Sequence, residues 1–141
     1  MTAPRILIGV VAAASLALVA AGIVFATTGA DAGHSEVTIG IRFSRFDLSA
    51  VTVRAGEPVT FRLENRDPIE HEWLVGDEAF HARHRTGTEA FHDSVADEVT
   101  IPAFAVRTTT VTFDQPGDYE FICHLPGHEQ YGMKGIVHVV E

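Results

Sequence analysis

The sequence contains a single cysteine, Cys123, among its 141 residues. One cysteine excludes an intramolecular disulfide, and it leaves no thiol near the N-terminus that could carry a lipid anchor. In an exported protein, a free thiol is exposed to oxidation unless something occupies it. A metal ion is such an occupant, so Cys123 is a candidate metal ligand.

Basic residues are also scarce. Lysine and arginine together number 10, against 19 aspartate and glutamate residues, and the formal net charge is −9 with neutral histidines. This balance argues against nucleic acid as a partner, because phosphate binding needs a basic surface. It favours instead a redox partner protein with a basic docking patch, since complementary fields speed encounter.

One long uncharged segment, residues 6–26, follows Arg5 near the N-terminus. It is long enough to span a bilayer, which takes about 20 apolar residues. The small residues after it, including Ala30-Asp31-Ala32, also fit a signal-peptidase site. Residues 1–32 are therefore predicted to be either a cleaved signal peptide or a transmembrane anchor helix that attaches the protein to the membrane. Either way, Arg5 predicts that residues 33–141 are exported to the periplasm or the extracellular space.

Residues 33–141 have the size of one domain with one hydrophobic core. Short segments rich in Val, Ile, Thr and Phe, separated by turn residues, predict eight β-strands. These strands are predicted at residues 37–43, 51–54, 58–64, 71–75, 98–101, 107–113, 119–123 and 135–140. No internal repeat is present. The pattern predicts an all-β fold, either an antiparallel sandwich or a small barrel.

Residues 76–99 interrupt the strand pattern with a polar segment. They predict an inserted loop, with room for a short helix, that forms a solvated cover over one end of the domain. A second, labile metal site is the alternative interpretation. Its candidate ligands are His81, His84, His92, Asp77, Glu78, Glu89 and Asp93.

Most of the chemical information lies in residues 121–135, FICHLPGHEQYGMKG. Cys123, His128 and Met133 follow one another at intervals of five residues. Strand alternation points Cys123 inward, and a turn at Pro126-Gly127 can bring His128 back toward it. One loop is thus predicted to bring a thiolate, an imidazole and a thioether to a single point.

These donor types select copper. A site with two histidines, one cysteine and a weak axial methionine is a recurring electron-transfer site, whereas zinc rarely uses methionine. The second histidine must come from elsewhere, and His71 is the best candidate because it opens a strand whose alternation points it and Trp73 to the core. No strand fixes the direction of the competing histidines, which are His81, His84 and His92.

The motif Cys-His-x-Pro-Gly-His-x-x-x-Gly-Met-x-Gly at residues 123–135 resembles the C-terminal ligand loop of the cupredoxins. These are single-domain type 1 blue copper proteins such as plastocyanin and azurin. The likeness spans roughly residues 37–140. It implies a Greek-key β-sandwich, with residues 33–141 as the copper-binding domain.

The resemblance also implies the role of each site residue. His71, Cys123 and His128 would be the strong ligands and Met133 the axial ligand of one copper ion that cycles between copper(I) and copper(II). The His128 edge would be the partly exposed route for electrons, and Leu125 and Pro126 would belong to an apolar docking surface around it.

Cys123-His124 also resembles the last domain of the multicopper oxidases. Ile122, however, precedes the cysteine here, and the His-x-His pairs of a trinuclear centre are absent from the sequence. Alternation points His124 away from Cys123, which predicts a surface residue or a hydrogen-bonding neighbour of the site. We therefore expect no oxidase activity.

The sequence predicts a monomeric one-electron carrier outside the cytoplasm that is not an enzyme, because no nucleophile with a base is recognisable. Copper handling, meaning capture or delivery of the metal, is the alternative function. A metal-free interaction module is a third, which the complete ligand set argues against.

Overall fold

The computed structural model describes residues 35–87 and 95–141. The predicted signal or anchor segment within residues 1–32 lies outside these ranges, as do Glu89, His92 and Asp93. Within the two described ranges, no helix combines the length and the apolar character needed to cross a membrane. The described residues belong to the predicted β-domain.

Eight strands form two sheets. The first sheet, in the order β1-β3-β6, contains β1 (Ser35–Ile41), β3 (Pro58–Asn65) and β6 (Val106–Thr112). The second sheet, in the order β2-β8-β7-β4-β5, contains β2 (Ala50–Arg54), β4 (His71–Gly76), β5 (Glu98–Ile101), β7 (Gly117–Ile122) and β8 (Lys134–Val140). All eight predicted strands are present, with ends displaced by no more than about two residues.

The sheets are mixed, and the prediction of an antiparallel sandwich was wrong in this respect. β1 pairs with β3 in parallel, and β2 pairs with β8 in parallel. The other pairings are antiparallel. Alternation of side chains has the same period in both kinds of pairing, so the sequence pattern could not distinguish them.

The two sheets enclose a core with aromatic side chains at its centre. Phe61, Trp73 and Phe121 are fully buried. The ring centroids of Phe61 and Trp73 lie 4.7 Å apart, and those of Trp73 and Phe121 lie 6.4 Å apart. Burying each such side chain stabilises the fold by roughly 1.5–3 kcal/mol. This core fixes the positions of β4 and β7, whose ends carry the candidate site.

A helix, α1 (Glu78–Thr86), occupies much of the predicted insert. The Asp77 carboxylate caps it by accepting the Phe80 N–H at 2.7 Å, and Gly87 ends it in the left-handed conformation. α1 contacts β4 and β7. Its His81 is fully buried. The short helix that the sequence left room for is present, but the predicted cover is not solvated at His81, because hydrogen bonds allow this polar side chain to be buried.

Candidate metal centre

The candidate site lies where β4 begins and β7 ends. His71 is the first residue of β4, and Cys123 follows β7 directly. The loop after Cys123 folds back on itself, because the Cys123 N–H donates to the Met133 carbonyl at 3.1 Å and the Met133 N–H donates to the His128 carbonyl at 3.0 Å. The backbone thus gathers the three predicted loop residues beside His71.

Three predicted donor atoms converge at this end. A ring nitrogen of His71, a ring nitrogen of His128 and the Cys123 Sγ all lie within 4.8 Å of one another. The His128 Nδ1 is 3.3 Å from the His71 Nδ1 and 3.3 Å from the Cys123 Sγ. Two imidazole nitrogens bound to one metal at about 2.0–2.1 Å in trigonal geometry would lie about 3.5 Å apart. The observed spacing therefore fits a metal ion held between these side chains.

Met133, the fourth predicted ligand, is fully buried and belongs with Cys123 to the hydrophobic core cluster. Copper electron-transfer sites combine two histidines and one cysteine with a weak axial methionine. The residues gathered here therefore fit copper, which the two imidazoles and the thiolate would hold strongly and the thioether weakly.

Asp67 orients His71. Its Oδ2 lies 3.0 Å from the His71 Nε2. Burial raises the pKa of the Asp67 carboxyl, but the backbone N–H groups of Ser44 and Phe43 and the His71 ring outweigh burial, and the net pKa is lowered. The ionised carboxylate can only accept, so the His71 Nε2 carries the hydrogen. The lone pair is then on Nδ1, which faces His128, and His71 is fixed in the tautomer that can bind a metal.

The Cys123 thiol is fully buried. Burial raises its pKa to about 11, although the backbone N–H groups of Glu72 and Leu125 favour the thiolate. The Glu72 N–H donates to the Cys123 Sγ at 3.4 Å. The metal-free thiol is therefore protonated near neutral pH, and metal binding must displace its proton. Once the proton has left, these two N–H groups are in place to stabilise the negative sulfur.

His128 is the more accessible of the two candidate histidine ligands. It is half-buried, whereas His71 is fully buried. Burial, together with the nearby His71, lowers the pKa of the His128 ring. A neutral ring is the form that binds metals. The site therefore has one sheltered imidazole and one at the protein surface.

The cupredoxin-like domain model matches residues 15–139 of the chain. This chain belongs to the cupredoxin-like domain family. The copper-resistant cuproprotein CopI of Rubrivivax gelatinosus is 36% identical over 113 residues, which cover 76% of this chain and 68% of CopI. CopI of Pseudomonas aeruginosa is 30% identical over 133 residues, which cover 71% of this chain and 72% of that protein. The cupredoxin resemblance predicted from the ligand loop is confirmed.

Solved structures of the auracyanins are similar to this cupredoxin-like domain. Auracyanin from Roseiflexus castenholzii aligns with a TM-score of 0.64 and 22% identity, over 77% of this chain and 100% of auracyanin. Auracyanin A, a "blue" copper protein from Chloroflexus aurantiacus, aligns with a TM-score of 0.60 and 26% identity, over 77% and 100% of the two chains. The predicted β-sandwich is thus a cupredoxin fold.

The insert histidines do not form a second metal cluster within the described ranges. The His81 Nε2 lies 3.0 Å from the Glu120 carbonyl, and its Nδ1 lies 2.9 Å from the His124 Nε2. The His84 Nδ1 lies 2.9 Å from a backbone carbonyl of its own helix. The two His81 contacts attach α1 to β7 and to the ligand loop. His92, the third candidate of the insert, lies outside the described residues.

Sequence reasoning missed two neighbours of the site. Asp67 is one of the turn residues between the predicted strands 58–64 and 71–75, and it was given no role at the site, although an acidic side chain shortly before a candidate histidine ligand is a signal for a supporting carboxylate. The pairing of His81 with His124 carried no signal, because strand alternation gives no position for a side chain on a separate helix. His124 was predicted to point away from Cys123 as a surface residue or a neighbour of the site, and the hydrogen bond to His81 agrees with the second description.

Proposed function

We propose that this cupredoxin-like domain binds one copper ion through His71, Cys123, His128 and Met133 and acts as a one-electron carrier. The observation that carries the proposal is the convergence of two imidazole Nδ1 atoms and one thiol Sγ at a single point of a β-sandwich. Bound copper would supply the one-electron redox chemistry. The protein residues supply a ligand geometry that both oxidation states can share.

The surroundings of the site suit electron transfer. The candidate donors His71, Cys123 and Met133 are fully buried, so water is excluded from most of the site. Asp67 holds the His71 ring, and the backbone of the ligand loop is closed by its own hydrogen bonds. A site that is held so firmly changes little when its charge changes. The half-buried His128 leaves one edge close to the surface for exchange with a partner.

The comparisons support copper as the cofactor. The CopI relatives are cuproproteins by name, and auracyanin A, 26% identical, is a blue copper protein. We extend copper binding to this chain because its residues present the matching donor set. We propose electron transfer without turnover of a substrate, in an exported protein. Cell fractionation, with N-terminal sequencing of the mature chain, tests the export and the fate of residues 1–32.

Copper handling is the second candidate function. It is favoured by the CopI relatives, which are named as copper-resistance proteins and are up to 36% identical to this chain. A handling protein must release its metal, whereas a carrier must retain it in both oxidation states. Retention of copper on reduction therefore separates the two functions.

The test uses the full chain loaded with copper(II). The protein is reduced with ascorbate, challenged with a copper(I) chelator and reoxidised with hexacyanoferrate(III) over repeated cycles, and copper per chain is measured after each cycle. A carrier keeps one copper per chain and accepts and donates one electron per cycle. Loss of the copper to the chelator at the first reduction would contradict the carrier function and favour copper handling.

A further inference from the structure

His128 lies on a loop, whereas His71 and Cys123 adjoin strands of the second sheet. The backbone hydrogen bonds around His128 are local, and one of them runs from the Gly132 N–H to the Glu129 carbonyl at 2.9 Å. Such bonds shape the loop without joining it to other elements. The position of the His128 ring therefore depends on what connects this loop to the rest of the domain.

Two glycines in the left-handed conformation border the part of the loop that carries His128. Gly127 and Gly132 both have a φ angle of 86°. Glycine adopts this conformation without steric cost, and it leaves the backbone more freedom than any other residue. We call residues 128–131, which lie between these glycines, the His128 segment. A contact with a neighbouring element is what would hold this segment against the sandwich.

A cavity of about 240 Å³ lies between α1 and the ligand loop. Its walls include His84 and Arg85 from α1 and Pro126, Glu129 and Gln130 from the loop. The helix and this part of the loop are therefore not joined by close packing of apolar side chains. The connection across the cavity is polar.

Arg85 and Glu129 make this connection. The Arg85 Nε donates to the Glu129 Oε2 at 3.1 Å, and the Arg85 Nη2 donates to the Glu129 Oε1 at 2.7 Å. A bidentate pair of arginine and carboxylate fixes both the distance and the orientation of its partners. The hydrogen bond from Arg85 is the largest cause that lowers the pKa of Glu129. The carboxylate is therefore ionised near neutral pH and stays paired.

Arg85 is itself held in place on α1. Its Nη1 donates to the Glu78 Oε1 at 2.9 Å, one helix end to the other. The helix is attached to β7 through His81, whose Nε2 lies 3.0 Å from the Glu120 carbonyl. Arg85 therefore extends from an anchored helix, and its guanidinium is oriented on the side of α1 that faces the loop.

The location of this ion pair gives it a role that its strength alone does not. Partly exposed ion pairs usually contribute little to the free energy of unfolding, because solvent screens them. The Arg85 side chain is 34% exposed. Glu129, however, directly follows His128, whose Nδ1 lies 3.3 Å from the Cys123 Sγ. A movement of the Glu129 carboxylate therefore shifts the backbone that carries a candidate ligand.

We propose that Arg85 is a positioning residue that holds His128 at the copper site through Glu129 and thereby slows the release of copper. The proposal rests on the copper-binding function proposed above. Release requires a strong ligand to leave the metal, and His128 is the half-buried ligand on a segment between two glycines. While the ion pair is closed, the His128 segment stays in place. Arg85 also occupies both Glu129 oxygens, which keeps this carboxylate from competing as a ligand.

The test uses the full chain and three variants. Arg85→Gln removes the ion pair. Arg83→Gln is the matched control, because it removes the same charge from the same helix, and Arg83 lines a separate cavity together with Asp97 and Asp114. The double variant Arg85→Glu with Glu129→Arg reverses the two charges and tests for rescue.

Copper release is measured by reducing the copper-loaded protein with ascorbate and following transfer of copper(I) to a chelator by stopped-flow absorption. Amide hydrogen exchange of the metal-free protein, resolved by NMR, reports local opening of the His128 segment without any metal. Urea unfolding of the metal-free protein reports the stability of the whole fold.

We expect copper release to be about tenfold or more faster in Arg85→Gln than in the wild type, and to change less than about twofold in Arg83→Gln. Amide exchange in the His128 segment should be faster in Arg85→Gln, whereas the other amides and the urea midpoint should stay close to those of the wild type. The double variant should recover at least part of the slow release and of the protection from exchange.

Equal effects of Arg85→Gln and Arg83→Gln would show that only the charge of α1 matters and would overturn the proposal. Faster exchange throughout the domain with a lower urea midpoint would also overturn it, because Arg85 would then act through the whole fold. A wild type that binds no copper would instead contradict the copper-binding function. In that case, exchange in the His128 segment of the metal-free variants would still decide whether Arg85 holds His128.

Discussion

Asp67 supports the candidate ligand His71 and also makes hydrogen bonds with several other residues. Its carboxylate accepts two backbone N–H groups, from Phe43 and Ser44, and the ring N–H of His71. Its own N–H donates to the Asn65 side chain at 2.9 Å. A buried acceptor with three charge-assisted hydrogen bonds fixes both the adjacent turn and the tautomer of the histidine. The site therefore depends on a residue that would not itself touch the metal.

We expect Asp67→Asn to weaken both the fold and the site. An amide offers one oxygen and two N–H donors, so at least one of the three N–H groups would face another donor. Leaving a buried donor unsatisfied costs about 1–3 kcal/mol. Urea unfolding of the metal-free variant measures the loss of stability, and the visible spectrum of the copper-loaded variant reports the altered position of His71.

Asp47→Asn is the matched control for this change. The Asp47 side chain also accepts a backbone N–H, that of Gly40 at 2.7 Å, but it makes no contact with His71. The amide oxygen of asparagine can still accept this single N–H, so the control should change stability less than Asp67→Asn does and should leave the copper spectrum unaltered. Identical spectra for Asp67→Asn and the wild type would contradict the role given to Asp67.

Met133→Leu separates packing from ligation. Leucine keeps most of the buried volume, so the cost in stability should stay below about 1.5 kcal/mol. Copper should still bind through the three strong ligands. Removal of a sulfur donor disfavours the more oxidised metal, and the reduction potential should rise. Voltammetry measures this shift, and an unchanged potential would make Met133 a packing residue only.

At the scale of elements, α1 is attached to the ligand loop at two points. The His81 Nδ1 lies 2.9 Å from the Nε2 of His124, which is the residue directly after Cys123. The Arg85 guanidinium forms a bidentate ion pair with Glu129, which is the residue directly after His128. The shortest contact, from the Arg85 Nη2 to the Glu129 Oε1, is 2.7 Å. The helix therefore holds the loop at the residues that follow two of the candidate ligands.

The buried His81 makes the stability of the metal-free protein depend on pH. Burial is the largest cause that lowers the pKa of His81, and Arg85 and His84 add to it, while the Glu120 carbonyl and its charge oppose it. The His124 ring also faces it. The unfolded state, with a pKa of about 6.5, therefore binds this proton more readily. The contribution of neutral His81 to the free energy of unfolding is therefore complete above about pH 6.5. It is lost as the pH falls below 6.5 toward the pKa of His81 in the folded protein.

His81→Leu should reduce this pH dependence and should cost about 1–3 kcal/mol near pH 7.5, because the hydrogen bonds of the ring are lost. Urea unfolding at a series of pH values between about 5 and 7.5 measures both effects. The control is His138→Leu, since the His138 side chain is 44% exposed and pairs with Asp118 at the surface. An unchanged slope of stability against pH in His81→Leu would contradict this assignment.

The strands and the ligand loop could be predicted from the sequence because both are local patterns. Alternation along β4 correctly placed His71 and Trp73 inside. The pairing of β1 with β3 could not be predicted, since it depends on which sheet each strand joins. The position of Asp67 shortly before His71 was a signal for its contact with that ring, but its hydrogen bonds with Phe43 and Ser44 could not be predicted, because these residues come from a distant turn.

For the whole molecule, the central result is a cupredoxin fold that brings His71, Cys123 and His128 together at one end of the sandwich. The ligand geometry and the attached helix agree with the electron-carrier function proposed above.

The most direct test is the visible absorption spectrum of the full chain titrated with copper(II), recorded beside Cys123→Ser. The serine variant keeps the size of the side chain and removes the thiolate. We expect an intense copper–thiolate charge-transfer band that saturates at one copper per chain in the wild type and is absent from the variant. A wild type that binds copper without this band, or a band that persists in Cys123→Ser, would contradict the site described above.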